Sequence, residues 1–401
     1  MNIPNKIRLS EQDQTFPYGR RNATEIILLC ITAEMSSGKK QRISEILAGR
    51  VNWRYFLHLA ESHGVASLVY HNLVTNDLTN KVPKYCLEWL SRIYHNTLYK
   101  NVIFSDALNK VMCKFRQHRI AIIVLKGTIL AEQLYGNPAL RTIVDIDILV
   151  RSEELSLASF LLSEMGYQRA TSNHEYEHHF HEIYCKQAQF PLIIELHWNL
   201  ENPEFVDVPR QEIWQRAQSQ ELSEGNIMVL SPEDNLLFLS NHLTKQDDKL
   251  LRSLADIGVL LERYKDDLDW DYIVKSTHSW GIDYSVYYSL VKCRDLLKTS
   301  VPAHVIKTLK PRAWRRWILY FLINNESFIL PIKWYKLRSK RSELIRSLMM
   351  KHSRHMLAVL SRSRYLNRKK YIIFITTAIW LMIIFFAALW RNIYNLIFRW
   401  M

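Results

Sequence analysis

Residues 144–150 read Val-Asp-Ile-Asp-Ile-Leu-Val, and few heptapeptides restrict a fold so tightly. Near-strict alternation over β-branched and aliphatic residues specifies a strand, because successive side chains of a strand point to opposite faces. Asp145 and Asp147 then share one face, while Val144, Ile146, Ile148 and Val150 turn to the other, toward a core. Two carboxylates on one face of so apolar a run are costly, since each repels the other and both lose water. A divalent cation relieves both costs, and Mg²⁺ suits paired carboxylates that also meet substrate phosphates. A solvated strand face beside a turn would explain the acids, though not their position inside an apolar run.

Upstream, the apolar run Ala121–Leu125 ends in Lys126-Gly127-Thr128, and a helical stretch follows from Ile129 to Tyr135. A strand, a glycine turn and a helix start leave backbone N–H groups free, and such a terminus favours phosphate. Lys126 adds a formal charge, and Thr128 either caps the helix or reaches a phosphate oxygen. A plain strand–turn–helix joint has the same pattern. Gly136-Asn137-Pro138 closes the helix. Arg141, just beyond, is either a further phosphate contact or a helix-end cation.

Downstream, Phe190–Trp198 is a third apolar run, with Glu195 set between Ile194 and Leu196. Glu195, His197 and Asn199 share a face; Ile194, Leu196 and Trp198 share the other. A lone glutamate there requires a partner or a metal. Asp145, Asp147 and Glu195, brought together from two adjacent strands, can hold Mg²⁺ for in-line displacement at phosphorus. His197 is an active-site neighbour or a core histidine bonded to backbone. The string His174–Glu182 offers further histidines for a Zn²⁺ site, without a recognised zinc-motif spacing, and alternating polar residues of an edge strand or hairpin explain it equally.

On these residues the chain resembles a family of uncharacterised nucleotidyltransferases within the DNA polymerase β-like nucleotidyltransferase superfamily. The likeness is carried by Leu125–Arg141 followed by Asp145-Ile-Asp147-Ile-Leu-Val150. Gly127-Thr128 stands at the superfamily's Gly-Ser position, Asp145 and Asp147 at its acid pair, and Glu195 at its third acid. Thr128 in place of Ser or Gly, and Lys126 before the glycine, are departures. Weaker likeness extends through Asn52–Ala60, His63–Val65 and Leu68–Tyr70, and through Leu236–Leu261 with His242 and Asp256, so that residues 21–300 are covered. The resemblance implies an α+β fold: a small mixed-sheet nucleotidyltransferase palm flanked by N- and C-terminal helical regions. It implies transfer of an NMP group from an NTP to a hydroxyl-bearing acceptor. The metal would be Mg²⁺, with Mn²⁺ the alternative, on Asp145, Asp147 and Glu195, and the phosphates would lie against Lys126, Gly127, Thr128 and Arg141. The acceptor stays open; a sugar or a lipid-linked glycan precursor is among the options. A catalytically silent nucleotide-binding adaptor or regulator at the membrane is the alternative function.

The 401 residues carry a net charge of +14, distributed unevenly. Residues 302–370 hold 18 Lys and Arg against two acids, and residues 371–401 add only Arg391 and Arg399. With +16 and +2 in those parts, the first 301 residues are left at −4. A mildly acidic body argues against a long nucleic acid partner. Tyr371–Trp390 is an uncharged run of 20 residues, about 30 Å as a helix and so enough to cross a bilayer. Basic residues crowd its N-terminal side, which predicts a single-pass membrane protein with the catalytic part in the cytoplasm. A buried terminal helix is the competing reading. Five scattered cysteines and a polar amino terminus fit a reduced setting without a secretory signal. The expected organisation is a disordered tail (1–20), a helical region (21–117), the palm (118–200) and a second helical region (201–300). A basic membrane-proximal segment (301–370), the transmembrane helix (371–390) and a short tail (391–401) complete it.

Overall fold

Apolar residues spaced three and four apart drive the first part of the chain into amphipathic helices. The computed structural model describes residues 19–170, 180–222, 225–244 and 250–313. It opens with α1 (Arg20–Cys30), α2 (Ser37–Leu47), α3 (Trp53–Ser62), α4 (Ala66–Thr75) and the long α5 (Lys84–Gln117). Two of these starts are capped as their sequences dictate: Ser36 accepts from the Lys39 amide and Asn52 from the Tyr55 amide. Inside α5, the buried Asn101 amide donates to the carbonyls of Pro138 and Arg141. That tie fixes the loop leading into the acid-bearing strand.

Next come β1 (Ile123–Val124), α6 (Thr128–Gln133), β2 (Ile146–Leu149), α7 (Leu155–Glu164), β3 (Gln168–Arg169), β4 (His181–Lys186) and β5 (Leu192–His197). After α8 (Arg210–Arg216), a hairpin of β6 (Gln218–Leu222) and β7 (Gly225–Val229) completes a seven-stranded mixed sheet in the order β3-β4-β5-β2-β1-β7-β6. β2 lies near the middle, antiparallel to β1 and parallel to β5, with Asp147 registered on Glu195 and Leu149 on His197. Ile146, Ile148, Val150, Ile194 and Leu196 are all buried. At roughly 1.5–3 kcal/mol for each such side chain, their burial stabilises the placement of the acids beside them.

The chain then returns to helix: α9 (Pro232–Leu243), α10 (Leu250–Arg263), α11 (Trp270–Trp280), α12 (Asp283–Lys292), a π-turn (Cys293–Leu297) and α13 (Ala303–Thr308). Ser231 caps α9 by accepting from the Asp234 amide, and Pro232 opens the first turn. The helix expected between Ser152 and Gly166 is present, with Gly166 at φ +84° just after its end.

The sequence reading and the fold differ in two places. The strand covers only 146–149, and Val144 is 41% exposed where a core position was expected. Its residue precedes the ladder, so the alternation does not govern it. β6 and β7 lie inside a stretch read as helical, and β7 pairs in parallel with β1. Most of the basic segment, the apolar run 371–390, the tail 391–401 and residues 1–18 are outside the described residues. Among the described residues no helix is long and apolar enough to cross a membrane.

Candidate active site

Three separate segments of the chain converge on one face of the sheet. Strand β2 presents Asp147, which is wholly buried, and Asp145 is the residue immediately before the strand. The neighbouring β5 presents Glu195 in register with Asp147, its side chain 23% exposed. The turn after β1 brings Lys126, whose Nζ lies 2.9 Å from Asp147 Oδ1. Phe238 of α9 sits beneath that ammonium at 5.5 Å from its ring centre. These groups and helices α9 and α10 enclose a cavity of about 250 Å³, into which His242, Arg252 and Asp256 also contribute.

The glycine turn is built against the acid strand. Gly127 adopts φ +63°, and a Cβ there would stand 3.0 Å from the Asp145 carbonyl oxygen. Only glycine accommodates both conditions comfortably. Thr128 follows at the start of α6, and its hydroxyl is enclosed without a hydrogen-bond partner. Arg141 has partners of its own: Nε and Nη2 meet Asp256 at 3.0 to 3.1 Å, and Nη1 donates to the Gly127 carbonyl at 3.2 Å. Tyr135 also donates to Asp256, at 3.0 Å. Arg141 thus clamps α10 to the glycine turn, and that clamp occupies the guanidinium assigned from sequence to phosphate.

His197 stands between the acids, with Nε2 3.3 Å from both Asp147 Oδ1 and Glu195 Oε2. Burial works to lower its pKa, but hydrogen bonds to both carboxylates raise it above the ordinary value. For Asp147, burial pushes upward and is outweighed by the Lys126 charge and the His197 hydrogen bond, leaving the carboxyl well below the ordinary value. Asp145 goes the other way: burial and the Asp147 charge push it up to about 6, against the pull of Lys126. Burial and the charge of Lys126 hold His242 well below its usual value. The two aspartates are therefore shifted in opposite directions, one held ionised and the other pushed toward its protonated form.

A hard divalent cation fits this donor set. With Asp256 committed to Arg141, three carboxylates face two fixed cations, Lys126 and Arg252. Asp147 Oδ2 is buried with no hydrogen-bond partner, a costly condition that an ion would remove. Lys126 and His197 both crowd Asp147 Oδ1 and hold the acids together without one. Arg252 was not singled out from sequence, although a signal exists. Arg252 and Asp256 stand four apart in a run otherwise rich in Leu, Ala and Ile, which places two charges on one helical face. Arg252 is 9% exposed, and Nη1 donates to the Thr142 carbonyl at 3.1 Å. Of the histidine string, residues 174–179 are outside the described residues, while His181 lies in β4 directly across from His197.

The family described as "uncharacterised nucleotidyltransferase" matches residues 49–298, more than half of the chain and all of the site. Among solved structures, an antigenic nucleotidyltransferase-like protein from Paracoccidioides brasiliensis aligns at 13% identity over 51% of this chain and 95% of its own, with a TM-score of 0.33. No curated protein matches.

Proposed function

The chain belongs to the uncharacterised nucleotidyltransferase family, and from that premise we propose that it transfers an NMP group from an NTP to a hydroxyl-bearing acceptor with the help of Mg²⁺. The observation that carries the reading is the convergence of Asp145, Asp147 and Glu195 on one cavity beside the Gly127 turn. Asp145, Asp147 and Glu195 would hold the metal, which supplies charge neutralisation for the triphosphate and the departing pyrophosphate.

The remaining work falls to side chains of this chain. Lys126 and Arg252 line the cavity with the acids, and they steady the β- and γ-phosphates together with the Thr128 hydroxyl and the Gly127–Thr128 backbone. Arg141 contributes by holding the glycine turn. The acceptor oxygen bonds to the α-phosphorus as the bond to the bridging oxygen breaks, and pyrophosphate leaves with the electron pair. Glu195, more exposed than Asp147, receives the hydroxyl proton. Apolar residues 371–390 and the basic segment before them would anchor this body to a membrane, with a membrane-proximal sugar or glycan precursor as acceptor.

One observation favours a second reading. Lys126 already pairs with Asp147, as it would in a silent nucleotide-binding adaptor that has no need of metal. Incubating the detergent-solubilised chain with each labelled NTP, Mg²⁺ and cell extract separates the two. Transfer requires a labelled acceptor and pyrophosphate release that Asp145→Asn abolishes while the variant stays folded. Nucleotide binding without any product, or full turnover by Asp145→Asn, would sink the enzyme reading.

A further inference from the structure

Strands β4 and β5 place a second donor set at the edge of the acid site. His181 and His197 are directly opposed in the antiparallel ladder, and Glu195 lies two residues before His197 on the same face. The imidazole rings are 4.8 Å apart, inclined at 31°. One ligand atom from each of His181, Glu195 and His197 falls within 4.8 Å of the others. Nδ1 of His197 is buried without a hydrogen-bond partner. We propose that His181, His197 and Glu195 form a distinct site for a transition-metal dication such as Zn²⁺, which shares Glu195 with the carboxylate site.

Chemistry distinguishes the two. Two imidazoles and one carboxylate match the His/His/Glu sets that bind Zn²⁺ at about 2.0–2.2 Å with one position open. Mg²⁺ wants an all-oxygen shell and gains little from imidazole. Rotation of the side chains would bring these three atoms, now within 4.8 Å of one another, onto a common ion. An ion bound here draws Glu195 and His197 away from Asp145 and Asp147 on the same face of the sheet. Occupancy therefore opposes completion of the carboxylate site, and Zn²⁺ or Co²⁺ acts as an inhibitor of whatever Mg²⁺ supports there. The site itself stands independently of nucleotidyl transfer, because binding can be read without turnover.

Aromatic packing is the competing account of the pair, since Phe180 lies 4.9 Å from the His181 ring and 5.7 Å from that of His197. The experiment titrates the full-length, detergent-solubilised chain, freed of metal by chelation, with Co²⁺, and follows its visible absorption and equilibrium dialysis. The wild-type chain binds one equivalent with the intense bands of a low-coordinate nitrogen- and oxygen-ligated ion. His181→Phe preserves the ring and the metal-free melting temperature, yet weakens binding at least ~10-fold, the scale reached by loss of even an outer partner. His181→Gln does the same, and Asp145→Asn keeps the bands. The proposal is overturned if the wild-type chain binds no Co²⁺, if both His181 variants bind as tightly as wild type, or if Asp145→Asn alone abolishes the bands.

Discussion

Asp145 and Asp147 are separated by a single isoleucine, yet their environments move them in opposite directions. Asp145 is raised to about 6, from an ordinary value near 4. Its folded form therefore binds a proton more readily than the unfolded chain. The stabilisation this gives is complete below about pH 4 and disappears as pH rises through about 6. Asp147 is lowered, so its contribution is present above the ordinary carboxyl range and lost only as pH falls below it. In metal-free protein near pH 8, Asp145→Asn is thus expected to raise the melting temperature by a few degrees and Asp147→Asn to lower it. The Asp145→Asn gain should vanish by about pH 4. Scanning calorimetry across that range checks both signs, and equal effects from the two variants would refute the division. Added Mg²⁺ should stabilise the wild-type chain and neither variant. At this scale sequence was informative about the acids, because a carboxylate in an apolar strand advertises its cost. It pointed to Arg141 but not to its pairing with Asp256, which lies 115 positions away, and a distant partner leaves no local pattern.

Arg141 and Asp256 also show how single residues join elements. Both are nearly inaccessible, with side chains 7% and 1% exposed, and together they fasten α10 to the turn before α6. Removing one member strands a buried charge, so Asp256→Ala is expected to cost about 3–5 kcal/mol in urea unfolding, whereas the paired change Arg141→Met with Asp256→Leu should recover most of it. Failure of the double variant to recover would mean that the pair does more than neutralise itself. Gly127→Ala tests the turn: the positive φ and the close Asp145 carbonyl predict a loss of about 1–3 kcal/mol, together with a larger fall in nucleotide affinity than in stability. Elements with strong punctuation were legible. The Ser152–Gly166 and Ser231-Pro232 signals mark the helices that form, because caps and breakers act within a few residues. The β6–β7 hairpin was not legible. Gln218–Leu222 is mostly polar and sits at the sheet edge, where little burial imposes alternation, and the two-residue β1 that receives β7 is too short to carry a period. The opposition of His181 and His197 is likewise a matter of hairpin register, which composition does not encode.

At the scale of the whole molecule, the matched region and the basic end separate in both position and charge. The match covers residues 49–298 and includes every residue assigned to the site. The first 301 residues are slightly acidic, while residues 302–370 carry +16. An anionic leaflet repels the former and attracts the latter, at about 1 kcal/mol for each cation near the surface. In the membrane-anchored reading, the apolar run 371–390 would supply insertion far stronger than surface charge alone. Among the described residues, the sheet, the cavity and the helices that close it all lie before residue 313. A chain ending at Ala313 is therefore expected to lose membrane sedimentation while retaining Mg²⁺-NTP binding within about threefold. The full chain should resist extraction by salt and by alkali and yield only to detergent. Release of the full chain by salt alone would leave surface charge as the whole of the attachment. Loss of nucleotide binding on truncation would instead make the basic segment part of the site, and the acidic body could no longer be treated as self-sufficient.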